Sequence, residues 1–173
     1  SLTYQESSLL LTDGLTAKGK PLNDQNMVKD HFDALNFILD EAKKQTPVTP
    51  EFIRLLASKV MNTTGGEVNV AVGSFDTSKG DFRKCAVRVG ERYFAAYQKV
   101  PDKVQEICDM INKRLSSAKT PQEIYDLAFD AHFRLVSVHP FGDGNGRTSR
   151  LLMNYILALK NQPLVCVYKE DKA

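Results

Sequence analysis

Apolar residues recur at helical spacing along most of this chain, and the polar residues between them punctuate the pattern clearly. Thr3 with Glu6 forms a capping box that opens a short helix, which stops near Asp13-Gly14. Pro21 to Asn23 opens a longer helix, carrying Met27, Val28, His31, Leu35, Ile38 and Leu39 at 3.6-residue spacing. Thr49-Pro50 starts a third, with proline at the favoured first helical position and Ile53, Leu56, Ala57 and Val60 on its apolar face. Pro101 opens a fourth, with Val104, Ile107, Cys108, Ile111 and Leu115. A second capping box, Thr120-Pro121 with Glu123, opens a fifth, whose stripe runs from Ile124 through Leu127 and Ala131 to Val138. The sixth is expected from about Gly146 to Lys160, with Leu151, Leu152, Tyr155, Ile156 and Leu159 turned inward. These stripes are core and need no function.

From Thr63 to Tyr97 the helical period disappears, and Gly65-Gly66, Gly73 and Gly80 interrupt the chain. Cys85, Val87 and Val89 alternate with Ala86, Arg88 and Gly90, the pattern of a short strand, and Gly90-Glu91 can turn it back toward Tyr93-Phe94. The expected fold is mainly α, with one small β-hairpin. Gly65 to Lys79 carries no recognisable motif.

At 173 residues the chain suits a single domain, with 1–20 as an N-terminal helix and loop, 22–160 as core and 161–173 as a C-terminal tail. A net charge of +2 argues for neither nucleic acid nor an acidic membrane as partner, and no apolar run is long enough to span a bilayer. Cys85, Cys108 and Cys166 are odd in number and lack the spacing of a disulfide framework or metal site, so a reducing, cytoplasmic setting is expected. The chain begins with Ser1 and ends on a charged tail, Lys169 to Ala173, and is expected to be a piece of a longer protein.

Chemistry concentrates between His139 and Arg150, in His-Pro-Phe-Gly-Asp-Gly-Asn-Gly-Arg-Thr-Ser-Arg. Gly142, Gly144 and Gly146 fall at alternate positions and let successive N–H groups converge into an anion nest. A helix starting there adds the positive end of its dipole, and Arg147 and Arg150, three apart, lie on one face beside the anion. Asp143 can hold a hard cation such as Mg²⁺. The plainer alternative is a polar turn following a helix-terminal histidine. Two arginines in a first helical turn oppose the dipole and need an anionic partner, which favours a phosphate site.

This segment resembles the signature of the Fic (filamentation induced by cyclic AMP) family, His-Pro-Phe-x-Asp/Glu-Gly-Asn-Gly/Lys-Arg, followed by a second arginine three residues on. His139, Pro140, Phe141, Asp143, Gly144, Asn145, Gly146, Arg147 and Arg150 match it. The resemblance extends more loosely from about Leu22 to Lys160. It implies a helical bundle in which a hairpin, the flap, lies beside the active-site loop. It implies protein adenylyltransferase activity: AMP passes from ATP to a Ser, Thr or Tyr hydroxyl of a target protein, or of the chain itself, and pyrophosphate leaves. On that resemblance His139 is the general base and Asp143 holds Mg²⁺. Asn145 and the N–H groups around Gly142, Gly144 and Gly146 cradle the α-phosphate, Arg147 grips the β-phosphate and Arg150 the γ-phosphate. Pro140 and Phe141 anchor the loop. The flap, Arg83, Cys85, Val87 and Val89, would pair with an extended target segment through main-chain hydrogen bonds; an ordinary edge hairpin is the alternative.

Many Fic proteins also carry an inhibitory Ser/Thr-x-x-x-Glu-Gly/Asn helix whose glutamate pairs with the second arginine. The chain's one Ser/Thr with Glu four residues on, Thr63 with Glu67, spans Gly65-Gly66 and is followed by Val68, so it does not match. The opening Ser-Leu-Thr-Tyr-Gln-Glu resembles the start of the helix that follows an N-terminal inhibitory motif, so that motif is expected just upstream; inhibition by a separate protein, or none, are the alternatives. The same signature also serves AMP removal and transfer of UMP or phosphocholine. Gly144-Asn145-Gly146 differs from the Ala-Asn-Lys of the kinase-like branch. A nucleotide-binding module without turnover is the alternative from another class.

Overall fold

The computed structural model describes residues 2–167; of Val89 and Arg92 it describes the backbone alone, and the charged tail from Lys169 lies outside the described residues. Helix α1, Tyr4–Asp13, is closed at its start by the reciprocal Thr3–Glu6 capping box and at its end by Gly14 in the left-handed region. Helices α2 (Leu22–Lys43) and α3 (Pro50–Val60) follow, then strands β1 (Glu67–Val70) and β2 (Gly73–Asp76), and strands β3 (Arg88–Val89) and β4 (Arg92–Tyr93). Helices α4 (Val100–Ser117), α5 (Pro121–Val138) and α6 (Asn145–Leu159) complete the order. The fold is mainly α, as the periodicity indicated.

Helix α6 is the centre of the bundle, packed on α5, α2 and α3. Leu151, Leu152, Met153, Tyr155, Ile156 and Leu157 are all buried, so α6 is enclosed on nearly every side, as expected of a helix apolar all round. Tyr155 packs against Phe52 of α3 with ring centroids 4.5 Å apart and planes tilted by 35°, and its hydroxyl donates to the Thr46 carbonyl. Burial pushes the Tyr155 hydroxyl up to about 12 and the Cys108 thiol likewise up to about 12. Both groups stay protonated at neutral pH, as members of the core.

One buried carboxylate ties the bundle to the segment that leaves it. Asp30 of α2, 1% exposed, accepts from Thr63 N at 2.9 Å, Thr63 Oγ1 at 2.9 Å and Thr64 Oγ1 at 3.1 Å. Three donors satisfy a charge that would otherwise be costly to bury. They also fix where the chain turns from α3 toward the hairpins.

There are two antiparallel hairpins where one was expected. β1 pairs with β2 in the register Glu67↔Asp76 to Val70↔Gly73, and β3 pairs with β4 through Arg88↔Tyr93 and Val89↔Arg92. The alternating stretch from Cys85 is strand only at Arg88–Val89. The β1–β2 hairpin occupies the motif-free segment between Gly65 and Lys79, and buries a single large apolar side chain, Phe75. One buried position in four-residue strands gives too little alternation to stand out in the sequence.

Candidate active site

Helix α5 ends at His139, which adopts φ 53° and ψ 60°, the left-handed region that a non-glycine residue enters at a cost. Its N–H still closes the helix on Leu135 O at 3.1 Å. The left-handed step turns the chain away from the α5 axis and stands the imidazole off the helix end. The ring packs against Phe94 with centroids 4.2 Å apart and planes at 31°, and Nδ1 lies 3.4 Å from the Val136 carbonyl.

The loop from Pro140 to Gly144 is held from both sides. Phe141 is 2% exposed and packs on Phe82 at 5.7 Å, the anchoring role expected of it. The Asn145 side chain spans the loop: Oδ1 accepts from Phe141 N and Nδ2 donates to Phe141 O, both at 2.9 Å. Asn145 is 4% exposed, so its amide shapes the loop and reaches a ligand only through its main-chain N–H. Gly142 lies under the β1–β2 hairpin, where a Cβ would sit 2.8 Å from Phe75 Cε2. Gly144, at φ +74°, lies over Met61, and a Cβ there would meet its sulfur at 2.9 Å.

Helix α6 then begins with no side-chain cap at Gly144. Among the described residues no side chain caps the first-turn N–H groups of Asn145, Gly146 and Arg147, and together they form a positive helix end. The Gly144 N–H is taken instead by Asp143 Oδ1 at 2.6 Å. The Asp143 side chain is 74% exposed, and its Oδ2 stands 3.9 Å from Arg147 Nη2. Among the described residues no cluster of three or more His, Cys, Asp or Glu side chains could form a metal cage. A lone exposed carboxylate beside an anion site fits Mg²⁺ held jointly by protein and phosphate oxygens, the way this reluctantly dehydrated ion is usually bound.

Arg147 reaches across to α3, donating to Val60 O at 3.3 Å and approaching Met61 Sδ at 3.1 Å. Arg150, one helical turn on, has no carboxylate partner among the described residues. Burial and then the Arg147 charge hold its guanidinium below the usual arginine range. Both arginines line one cleft of about 630 Å³ between α1, α2, α6 and the segment Leu164–Val167. Two like charges on one half-buried wall call for an anion.

The flap requires a correction at Arg83. Expected to face a target, Arg83 is instead 1% exposed. Its guanidinium donates to four carbonyls: His139 at 2.7 Å, Cys85 at 2.6 Å, Ala95 at 2.6 Å and Val138 at 3.4 Å. Its own N–H donates to Pro140 O at 2.9 Å. A five-donor planar fork suits such a job. Arg83 therefore braces the base of the flap against the His139 loop, and offers neither side chain nor N–H to a partner. Cys85 and Val87 are half-buried and precede the strand proper. Val89 contributes backbone to the β3–β4 pair, its side chain lying outside what is described. Nothing in the sequence distinguished Arg83 from a solvated flap residue, and nothing marked Phe94 as the neighbour of His139.

The Fic/DOC family model matches residues 47–157, which include α3, both hairpins, α4, α5, the His139–Arg150 loop and most of α6. The chain belongs to the Fic/DOC family. Over 173 residues it is 29% identical to the protein adenylyltransferase Fic of Drosophila willistoni, covering 100% of this chain and 32% of that protein. A Fic-domain-containing signaling protein from Bacteroides thetaiotaomicron shares the fold at a TM-score of 0.81 and 30% identity, over 99% of this chain and 62% of that one. Fic-1 from C. elegans superposes with a TM-score of 0.77 at 26% identity, over 95% of this chain and 46% of that one. The chain thus spans about a third of the length of the curated Fic relatives it matches. No helix among the described residues is long and apolar enough to cross a membrane.

Proposed function

We propose that this Fic domain is a protein adenylyltransferase, moving AMP from ATP to a Ser, Thr or Tyr hydroxyl of a protein. The observation that carries this reading is the pairing of Arg147 and Arg150 on one cleft wall at an uncapped helix start, with His139 held across the loop by Phe94 and Arg83. Curated Fic relatives bearing that activity in their names support it.

The residues divide the work by their chemistry. With Nδ1 turned toward the Val136 carbonyl, the tautomer protonated at Nδ1 makes Nε2 the basic nitrogen of His139. The target hydroxyl gives its proton to Nε2 as its oxygen attacks the α-phosphorus. The bond from that phosphorus to the bridging oxygen breaks, and pyrophosphate leaves. Such a positioned base contributes about 10²–10⁴ in rate. The N–H groups at the start of α6 receive the charge that shifts among the α-phosphate oxygens. Arg147 holds the β-phosphate and Arg150 the γ-phosphate, fixing the leaving group in line. Asp143 is the residue that would hold Mg²⁺, which when bound neutralises charge on the departing pyrophosphate. Asn145 acts at one remove, by keeping the loop in shape.

Intact mass spectrometry after incubation with ATP and Mg²⁺, alone and with cell lysate, tests the reading. One AMP added to the chain or to a lysate protein, and absent with His139→Ala, is the expected result. An adduct of the same size in the His139→Ala protein overturns the assignment of the base. ATP binding that raises the melting temperature without any adduct supports a binding module instead.

A further inference from the structure

His31 of α2 lines the same cleft as Arg147 and Arg150, although nothing in the signature loop involves α2. Its Nδ1 is sealed from solvent and has no hydrogen-bond partner among the described residues. Nε2 is not among the sealed, unpartnered atoms and accepts or donates no hydrogen bond among the described residues, which leaves it as the nitrogen that opens on the cleft. Burial chiefly, and then the charges of Arg150 and Arg147, hold the ring below the ordinary histidine range, so it is neutral at neutral pH.

A neutral imidazole carries one hydrogen. An N–H at the sealed Nδ1 would be a buried donor without an acceptor, the rarest and most costly kind of orphan. The hydrogen therefore sits on Nε2, and His31 presents a donor to the space that Arg147 and Arg150 face. Three donors from two helices converge on one wall. Among the other lining groups, Asn154 is already committed to both main-chain groups of Val165, and Asp24 and Cys166 are the only further titratable ones.

We propose that His31 is a third ligand for the terminal phosphate of the nucleotide, completing with Arg147 and Arg150 a site that prefers a nucleoside triphosphate to a diphosphate. This rests on the reading of the cleft arginines as β- and γ-phosphate ligands. Its geometric basis is that α2 packs on α6 and places His31 in the one cleft that Arg147 and Arg150 line, with Arg150 the strongest charge its ring feels and Arg147 the next. A neutral donor suits this place, because a third fixed cation beside Arg147 and Arg150 would raise the repulsion within the empty cleft.

The test is calorimetric titration of ATP and ADP into His139→Ala protein, which cannot turn over, with His31→Phe, His31→Gln or Arg150→Ala added. Loss of a hydrogen bond to a charged oxygen should weaken ATP binding by about tenfold or more in His31→Phe and leave ADP unchanged. His31→Gln, which keeps a donor, should recover most of the difference. The tautomer itself is read without mutation from the imidazole nitrogen resonances, where the hydrogen is expected on Nε2. If Arg150→Ala loosens ATP while His31→Phe leaves both nucleotides unchanged or shifts them equally, His31 is not a phosphate ligand and the proposal fails alone. If Arg150→Ala also leaves ATP unchanged, the phosphate reading of the cleft fails with it.

Discussion

Arg83 Nε donates to the main-chain carbonyl of His139 at 2.7 Å, across 56 residues of sequence. The buried guanidinium thus holds the proposed base by its backbone, while Phe94 faces its ring. Because Ala95 and Cys85 are on the same fork, the flap is tied to the His139 backbone through one side chain. Replacing Arg83 by Ala orphans several buried carbonyls, each costing about 1–3 kcal/mol, so a loss of roughly 3 kcal/mol or more is expected. Arg83→Lys should recover little, since an ammonium cannot span the fork. Urea denaturation, read beside AMP transfer, checks both; a midpoint within error of wild type for Arg83→Ala would remove the brace.

The Asn145 amide meets an N–H and a carbonyl of Phe141 at once. Asn145→Asp is isosteric but sets an oxygen against the Phe141 carbonyl, at an expected cost of about 2 kcal/mol. Transfer should slow through kcat, with ATP affinity close to wild type, because Arg147 and Arg150 are untouched. A large change in ATP affinity with kcat preserved would instead point to direct contact between the side chain and nucleotide.

Gly142 and Phe75 connect the β1–β2 hairpin to the loop. Phe75 is 3% exposed and cannot swing away from a new methyl group, so Gly142→Ala should destabilise by about 1–3 kcal/mol. Adding Phe75→Leu should relieve part of that loss, giving a non-additive pair in a double-mutant cycle. Strict additivity of the two changes would mean that the contact carries no energy.

His31 and His132 are both held below the ordinary histidine value of 6.5, each chiefly by burial. As pH falls below about 6.5 the unfolded chain takes up protons that the folded chain resists, so stability rises with pH across that window and is lost on acidification. Urea midpoints at pH 7 and pH 5.5 measure the slope, which should flatten in His31→Phe. An unchanged slope in that variant would show that His31 titrates alike in both states.

Every α-helix was legible in the sequence: capping boxes at Thr3 and Thr120 and prolines at Pro21, Pro50, Pro101 and Pro121 mark where the first five begin, and an apolar stripe marks α6. The loop was legible for a different reason: its glycines and arginines are chemically unusual side by side. Long-range relationships were not. Asp30 with Thr63 and Thr64, Arg83 with His139, and Phe75 with Gly142 join residues distant along the chain, and no local pattern marks either partner. The β1–β2 hairpin has no local signature, because a pair of strands with one buried residue leaves almost no periodic trace.

The left-handed backbone at His139 sets activity against endurance. An L-residue with a side chain gives up about 1–2 kcal/mol in that conformation, and glycine there would not. His139→Gly is therefore expected to be inactive and yet to melt no lower than the parent, apart from what the lost Phe94 contact takes back. On the proposed reading of His139 as the base, its strained backbone is stability given up in exchange for transfer.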